Sequence, residues 1–397
     1  MEFKGYRRRD GGVGIRNLVA VIASTGCINE IPSLACQGIP GAVPMGHNLS
    51  CSHLGEDLQR SVRAIVNLCG NPNLYGVVLV GMGCEQMAAE DLYDRASRFE
   101  KPLELFTLQN EGDWDNLVQR AREATGRMAR RAAELKREEA KLGELTMGIK
   151  CGGSDTTSGL VSNPVAGFAA DRLIEANGTV IFTETPEILG AEHVLAKRTT
   201  TREAADTLLQ VADRTEKRIN AMGVDLRGSE PTPANMQGGL TTIEEKSLGA
   251  IIKGGTAPIR GVLQFGERPS GRGLFFMDGP ARTAELMVGM AAAGCQLMIF
   301  SSGGGLPALL PMLPAAPARF PVLPVIKMSG NPAGSEKFRG HLDIYVGTVA
   351  EGKETIPQAG ERLLEKILRV ASEDGQTITE KGTYVEPLLF PIDGPAL

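Results

Sequence analysis

The sequence contains no apolar run approaching the ~18 residues that a membrane-spanning helix needs. Its first residues, Met1-Glu2-Phe3-Lys4-Gly5, do not form a secretory leader. Aromatic residues make up only 5%, and the formal net charge is −5. No basic stripe interleaved with aromatics is present, so nucleic acid is not an expected partner. The one basic run, Arg7-Arg8-Arg9, is short enough to be a solvated turn. No CxxC framework organises the seven cysteines. No GxGxxG follows a predicted strand, and Gly11-Gly12-Val13-Gly14 precedes one, which excludes a dinucleotide loop there. A cytoplasmic protein touching neither membrane nor nucleic acid is expected, with its thiols reduced.

Glycine is abundant, at 49 of 397 residues, and it gathers in short runs that suggest tight turns. The length suggests two domains or three. Leu18 to Ala23 and Gly76 to Val80 are apolar, rich in β-branched residues and closed by Gly or Ser, as buried strands are. Asp57 to Leu68, between them, has helical spacing, which predicts a βαβ unit in a parallel sheet. Trp114 to Leu142 predicts a long, solvent-exposed connecting helix. These elements define an expected Rossmann-like α/β domain over 1–145. A second α/β domain over 146–397 is predicted from strands at 179–183 and 296–300 and helices at 204–222 and 360–372. The Pro-dense stretch from about 306 to 324 predicts an irregular loop.

A recurring pattern marks the candidate chemistry. A buried strand ends, and a Gly-flanked turn presents a thiol or polar residue, where open parallel sheets bind ligands. Cys27, Cys84 and Cys151 occupy such turns, the last followed by Ser154 and Asp155. Cys51 lies between His47 and His53. Thiolate and imidazole suit iron or zinc, but inert buried thiols give the same pattern. Cys36, Cys69 and Cys295 lack polar neighbours and are assigned to the core. Glu184 to His193 follows a strand and carries Glu184, Glu187, Glu192 and His193. Glu187 also fits a helix-capping role, and a Glu–His pair also fits a surface. Ser301-Ser302-Gly303-Gly304-Gly305 fits an anion cradle or a plain turn.

Several blocks together carry a resemblance. They are Gly5-Tyr6-Arg7-Arg8-Arg9-Asp10-Gly11-Gly12-Val13-Gly14-Ile15-Arg16-Asn17, Gly81-Met82-Gly83-Cys84-Glu85, Lys150-Cys151-Gly152-Gly153-Ser154-Asp155, Thr183-Glu184-Thr185-Pro186-Glu187-Ile188 with Gly190-Ala191-Glu192-His193, Glu245-Lys246-Ser247-Leu248-Gly249, Met277-Asp278, and Pro324-Val325-Ile326-Lys327 with Gly330-Asn331. In this order they span nearly the whole chain, which resembles the altronate dehydratase, galactarate dehydratase and sulfolactate sulfo-lyase family. Two departures stand out: Ser301-Ser302 replaces a Thr-Thr-Gly-rich turn, and Leu49-Ser50-Cys51 replaces a Gly-Cys pair. An apolar Leu306-Pro307-Ala308-Leu309-Leu310 follows the first of these.

The resemblance implies a metal-dependent hydro-lyase that takes water from a sugar acid or related hydroxy acid, giving a 2-keto acid. The alternatives are a sulfolactate sulfo-lyase large subunit releasing sulfite, and a non-catalytic, metal-stabilised binding module. It implies iron, as Fe2+ or an iron–sulfur cluster, or else Mn2+ or another divalent metal, with Cys27, Cys51, Cys84, Cys151 and His47 as candidate ligands. A metal would stabilise the enediolate formed when a weakly acidic α-proton leaves. His193 or Lys150 is the expected base, and Glu184 or Glu187 an acid or ligand. Ser154, Asp155, Ser301, Ser302 and Asn331 are the expected substrate contacts. Relatives of this type carry a small domain ahead of the first block, so a small partner subunit and a homo- or hetero-oligomer are expected.

Overall fold

The computed structural model describes residues 1–303, 318–333, 339–372, 375–381, 384–385 and 387–394. Strands β3 (Leu18–Ala23), β4 (Ala42–Met45), β5 (Leu74–Gly81) and β6 (Leu103–Thr107) form a parallel sheet in the order β4-β3-β5-β6. Strands β8 (Thr146–Gly152), β9 (Thr179–Thr183), β10 (Ile259–Leu263), β11 (Gly273–Met277), β12 (Leu297–Ser302), β14 (Val325–Ser329) and β15 (Ile344–Tyr345) form a larger one. Its order is β10-β11-β9-β8-β12-β14-β15, again parallel throughout. Parallel sheets are covered on both faces, which is why these strands read as continuous apolar runs rather than alternating ones. Every residue of β9, β11, β12 and β14 is buried.

The layers follow from the side chains. Helix Thr283–Ala292 is apolar all round, and everything from Glu285 to its end is buried. Such a helix belongs inside. It lies with helix Gly55–Cys69 in the core shared by the two sheets, where Ile22 and Leu79 of the first meet Met298 and Phe300 of the second. Helices Asn163–Glu175, Arg202–Ala221 and Ile356–Ala371 contribute to the core on the other face of the second sheet.

Three expectations are corrected. The long helix runs only over Trp114–Glu134, and residues 138–141 form strand β7 (Glu138–Lys141) instead. Strand β7 pairs antiparallel with β1 (Glu2–Arg7), which also pairs with β2 (Val13–Gly14). Nor is that helix solvent-exposed all round. Leu117, Ala121, Ala124, Met128 and Ala132 recur at helical spacing and are buried against Val19, Val21 and Val78. The last helix begins four residues before the expected Gly360, where the Thr355 hydroxyl accepts from the Gln358 N–H.

The expected Pro-dense loop lies largely outside the described residues, as do Gly304, Gly305 and the apolar Leu306 to Leu310. Two of its residues, Ala318–Arg319 (β13), pair with Tyr384–Val385 (β16). Among the described residues no helix is long and apolar enough to cross a membrane.

Candidate active site

The carboxyl ends of β8 and β9 bring together a cluster of charges almost closed to water. Glu184 follows β9 directly and has φ +86°, a left-handed conformation costing a non-glycine residue about 1–3 kcal/mol. Its carboxylate is held from three directions. The Lys253 ammonium donates to Oε2 at 2.7 Å, the Cys151 backbone N–H donates to the same oxygen at 2.8 Å, and Lys150 Nζ lies 3.2 Å from Oε1. Burial alone would raise the Glu184 pKa, but the two ammoniums and the N–H outweigh it and hold the carboxyl below its usual range.

Lys150 has three acceptors. Besides Glu184 it donates to Thr283 Oγ1 at 2.8 Å and to the Ala281 carbonyl at 3.4 Å. It also stands over the Phe300 ring, 4.7 Å from the centroid, as the pairing of Lys150 with Phe300 across β8 and β12 requires. Lys253 also donates to Cys151 Sγ at 3.0 Å. Burial pushes the Cys151 thiol up to about 12, with Lys253 opposing, so it stays protonated.

A second, polar network surrounds the gap between β8 and β12, where the strand order of the sheet turns. Such switch points form binding crevices. Asp155 Oδ1 accepts from Thr157 and from the Ser158 N–H, and Oδ2 accepts from Asn331 Nδ2 at 2.8 Å. The Gly303 carbonyl accepts from Ser329 Oγ. A Cβ on Gly303 would sit 1.9 Å from Asp155 Oδ1, so only glycine fits there. Ser301 donates to Asn163 Oδ1. The buried Ser302 hydroxyl has no hydrogen-bond partner among the described residues, an open hydrogen-bonding position in this crevice. A cavity of about 250 Å³ is lined by Ser154, Asp155, Ser158 and Lys246 together with apolar Leu240 and Leu248. Lys246 bridges Glu187 at 3.3 Å and Glu230 at 2.7 Å.

Of the residues expected from sequence, Lys150, Glu184 and Cys151 thus meet, as do Asp155 and Asn331. Glu187 instead joins Lys246, as a partner of the smaller cavity's wall rather than of the Glu184 cluster. His193 lies exposed on the short helix Glu192–Ala196 and lines neither that cavity nor the larger one described below. Lys253 was missed. Its signal was a lysine lodged between Ile251-Ile252 and Gly254-Gly255, a charge inside an apolar segment.

The expected metal ligands are not assembled. Among the described residues no three or more His, Cys, Asp and Glu side chains are arranged to hold a metal ion. Cys27, Cys51 and Cys84 lie on loops of the first sheet, whereas Cys151 ends β8 of the second. Both nitrogens of the buried His47 are engaged, Nε2 with the Ala23 carbonyl at 2.6 Å and Nδ1 as acceptor from the Leu49 N–H. An ammonium 3.0 Å from Cys151 Sγ also occupies ground that a cation would need. This donor set does not fit a metal, and no step is derived through one. Cys84 is exposed because Glu85 takes the Gly83 and Cys84 N–H groups and the Ser24 hydroxyl, turning the loop outward. Cys36, Cys69 and Cys295 are buried, as expected.

Residues 5–133 match the family described as D-galactarate dehydratase/altronate hydrolase, second domain, and residues 142–391 match D-galactarate/altronate dehydratase, C-terminal. The chain is 35% identical over 372 residues to the (2R)-sulfolactate sulfo-lyase subunit beta of Chromohalobacter salexigens, covering 93% of this chain and 92% of that one. It is 31% identical over 399 residues to the galactarate dehydratase (L-threo-forming) of Escherichia coli, covering 96% and 74% respectively. With the altronate dehydratase of Bacillus subtilis it shares 30% over 404 residues, covering 98% and 77%.

Proposed function

We propose a function from one premise: the chain belongs to the D-galactarate/altronate dehydratase family. It is a lyase. Its main reaction is removal of water from a hydroxy acid to give an enol, which becomes a 2-keto acid. The observation that carries this reading is Glu184, strained, ionised and enclosed by two lysines at the carboxyl end of β9.

The chemistry needs a base for the α-proton, positive charge for the enediolate and an acid for the departing hydroxyl. Glu184 is held as the carboxylate, so it takes the base role. Lys150 donates to three acceptors, one of them Glu184, and serves as acid and charge stabiliser. This exchanges the roles expected from sequence. Lys253 and the Cys151 N–H keep Glu184 ionised and aimed. The cluster is closed to water, so the wall formed by Thr185 and the Asp278–Arg282 turn has to yield as substrate enters.

A second reading, release of sulfite from a sulfo acid, is favoured by the identity to the sulfo-lyase subunit and by near-complete coverage of both chains. That relative is named as a subunit, and on this ground we propose a small partner polypeptide. A cytoplasmic location belongs to the same proposal. A coupled screen tests the reading: purified protein, with and without such a partner, is offered galactarate, altronate and sulfolactate. A 2-keto acid or sulfite from one of them is the expected result. No product from any would remove the reading.

A further inference from the structure

A cavity of about 650 Å³ lies between helices Gly55–Cys69 and Arg202–Ala221, with the turn after β11 as a third wall. This volume suits a small-molecule ligand. Arg60, Arg63, Arg214, Arg218 and Arg282 line it, against Glu56, Asp278 and Asp393. Among these lining residues positive charge is in excess by two, although Asp57, just outside the lining, also pairs with Arg60 at 3.3 Å. The pairing is uneven. Arg214 is bound to Asp278, while Arg60 and Arg218 share Asp393 at 2.8 and 2.6 Å. Arg282 turns to Glu285, outside the lining, at 2.8 Å. Arg63 spends its Nε on the Phe265 carbonyl at 3.0 Å and has no carboxylate partner among the described residues. Burial lowers the Arg63 pKa, Glu267 offsets part of that and Arg60 adds to it, as expected for a half-buried guanidinium short of a counter-ion.

Two further features give this excess a direction. Asp393 displays the binding mode, a carboxylate gripped by two guanidiniums. The cavity also shares a wall with the Glu184 cluster. Thr185 follows Glu184, and the lining residues Pro280 and Arg282 flank Ala281, whose carbonyl accepts from Lys150.

We infer that this cavity holds a second anionic group of the substrate, a carboxylate or sulfonate, with Arg63 as its principal contact, while the hydroxy-acid end reacts at Glu184 and Lys150. The inference rests on the lyase reading and narrows it to acids carrying two negative charges, in preference to singly charged aldonates. A planar fork of donors suits both anions.

Inorganic sulfate is the probe for the cavity alone. It should raise the Tm of the wild-type protein, and part of that rise should vanish in Arg63→Gln and survive in Arg63→Lys. General salting by sulfate affects all three proteins equally and cancels in the comparison. With turnover in hand, Arg63→Gln should raise KM for a dianionic acid by about tenfold or more, the usual scale of a lost charge-assisted contact. The KM for a monoanionic acid should rise less. Equal sulfate response in wild type and Arg63→Gln, or equal KM changes for both acids, overturns the inference. An Arg63-dependent sulfate response in a protein that turns over no acid would keep the anion site and remove the lyase reading instead.

Discussion

Lys253 and Glu184 form an ion pair 2.7 Å long in which each side chain is only 1% exposed. A pair this deep gains its attraction against a large desolvation cost, so its net worth is small while it is intact. Breaking it is another matter. Lys253→Met keeps the volume and removes the charge, leaving Glu184 to Lys150 and one backbone N–H. The expected loss is about 3–5 kcal/mol, the usual range for a buried pair deprived of one partner. Urea unfolding measures it, and a loss under about 1 kcal/mol would show that Lys150 alone suffices.

The catalytic assignment is separable from that structural one. Glu184→Gln and Lys150→Met should each lower kcat by about two to four orders of magnitude, the range for a lost acid or base. The double variant should be little worse than either single one, because the two act as a unit. Additive losses would place them in independent roles.

His193 should behave differently. It is exposed and lines neither cavity, and surface substitutions are close to neutral. His193→Ala is expected to keep turnover within about threefold. A loss of a hundredfold or more would return the base role to His193 and would require a conformation that brings it inward.

Strands were the most legible part of the sequence. Leu18–Ala23 and Thr179–Thr183 are recovered residue for residue, because a strand covered on both faces has to be apolar throughout. The end of the Trp114–Glu134 helix was not legible. Its sequence continues helix-compatible through Leu142, and what stops it is distant. Arg137 donates to the carbonyls of Lys4, Ile15 and Ala371, and the next residues pair with the first strand. The site divides in the same way. Lys150, Glu184 and Asp155 announce themselves by following or ending strands. Lys253 arrives from 69 residues beyond Glu184 on a short 3-10 turn, and only the folded chain brings it there. His193 misleads because it is close to Glu184 in sequence, whereas the turns between them carry it to the surface.

His47 should give the protein an acid-sensitive limb. Burial pushes its pKa down to about 4 from 6.5, partly opposed by its bond to the Ala23 carbonyl. The unfolded chain therefore takes a proton at a pH where the folded chain refuses one. The contribution is complete above about pH 6.5, shrinks as pH falls, and levels off below about 4, for a total of roughly 3 kcal/mol at most. His47→Gln should flatten stability against pH across that window, whatever it does to the plateau. An unchanged slope between the two proteins would assign the limb to other groups.

The Cys and His donors expected from sequence are not assembled among the described residues. With the chemistry assigned to Glu184 and Lys150, chelation should leave turnover unchanged, read against the metal content of anaerobically purified protein. Activity lost on chelation and restored by ferrous iron would overturn that expectation.

The pairing of β1 with β7 has a consequence for how the chain is made. Residues 2–7 are synthesised well before their partners at 138–141, which follow about 130 residues later. At 5–20 residues per second, the first strand waits roughly 7–30 s, and the Ser372 hydroxyl that Lys4 also meets comes later still. Throughout that interval it is an open edge, the kind of segment that recruits the wrong neighbour. Glu2, Lys4 and Arg7 are charges set along it, while Phe3 is the one large apolar side chain it later buries. The composition that makes this strand a poor nucleus also keeps the nascent chain out of trouble until its partner is synthesised.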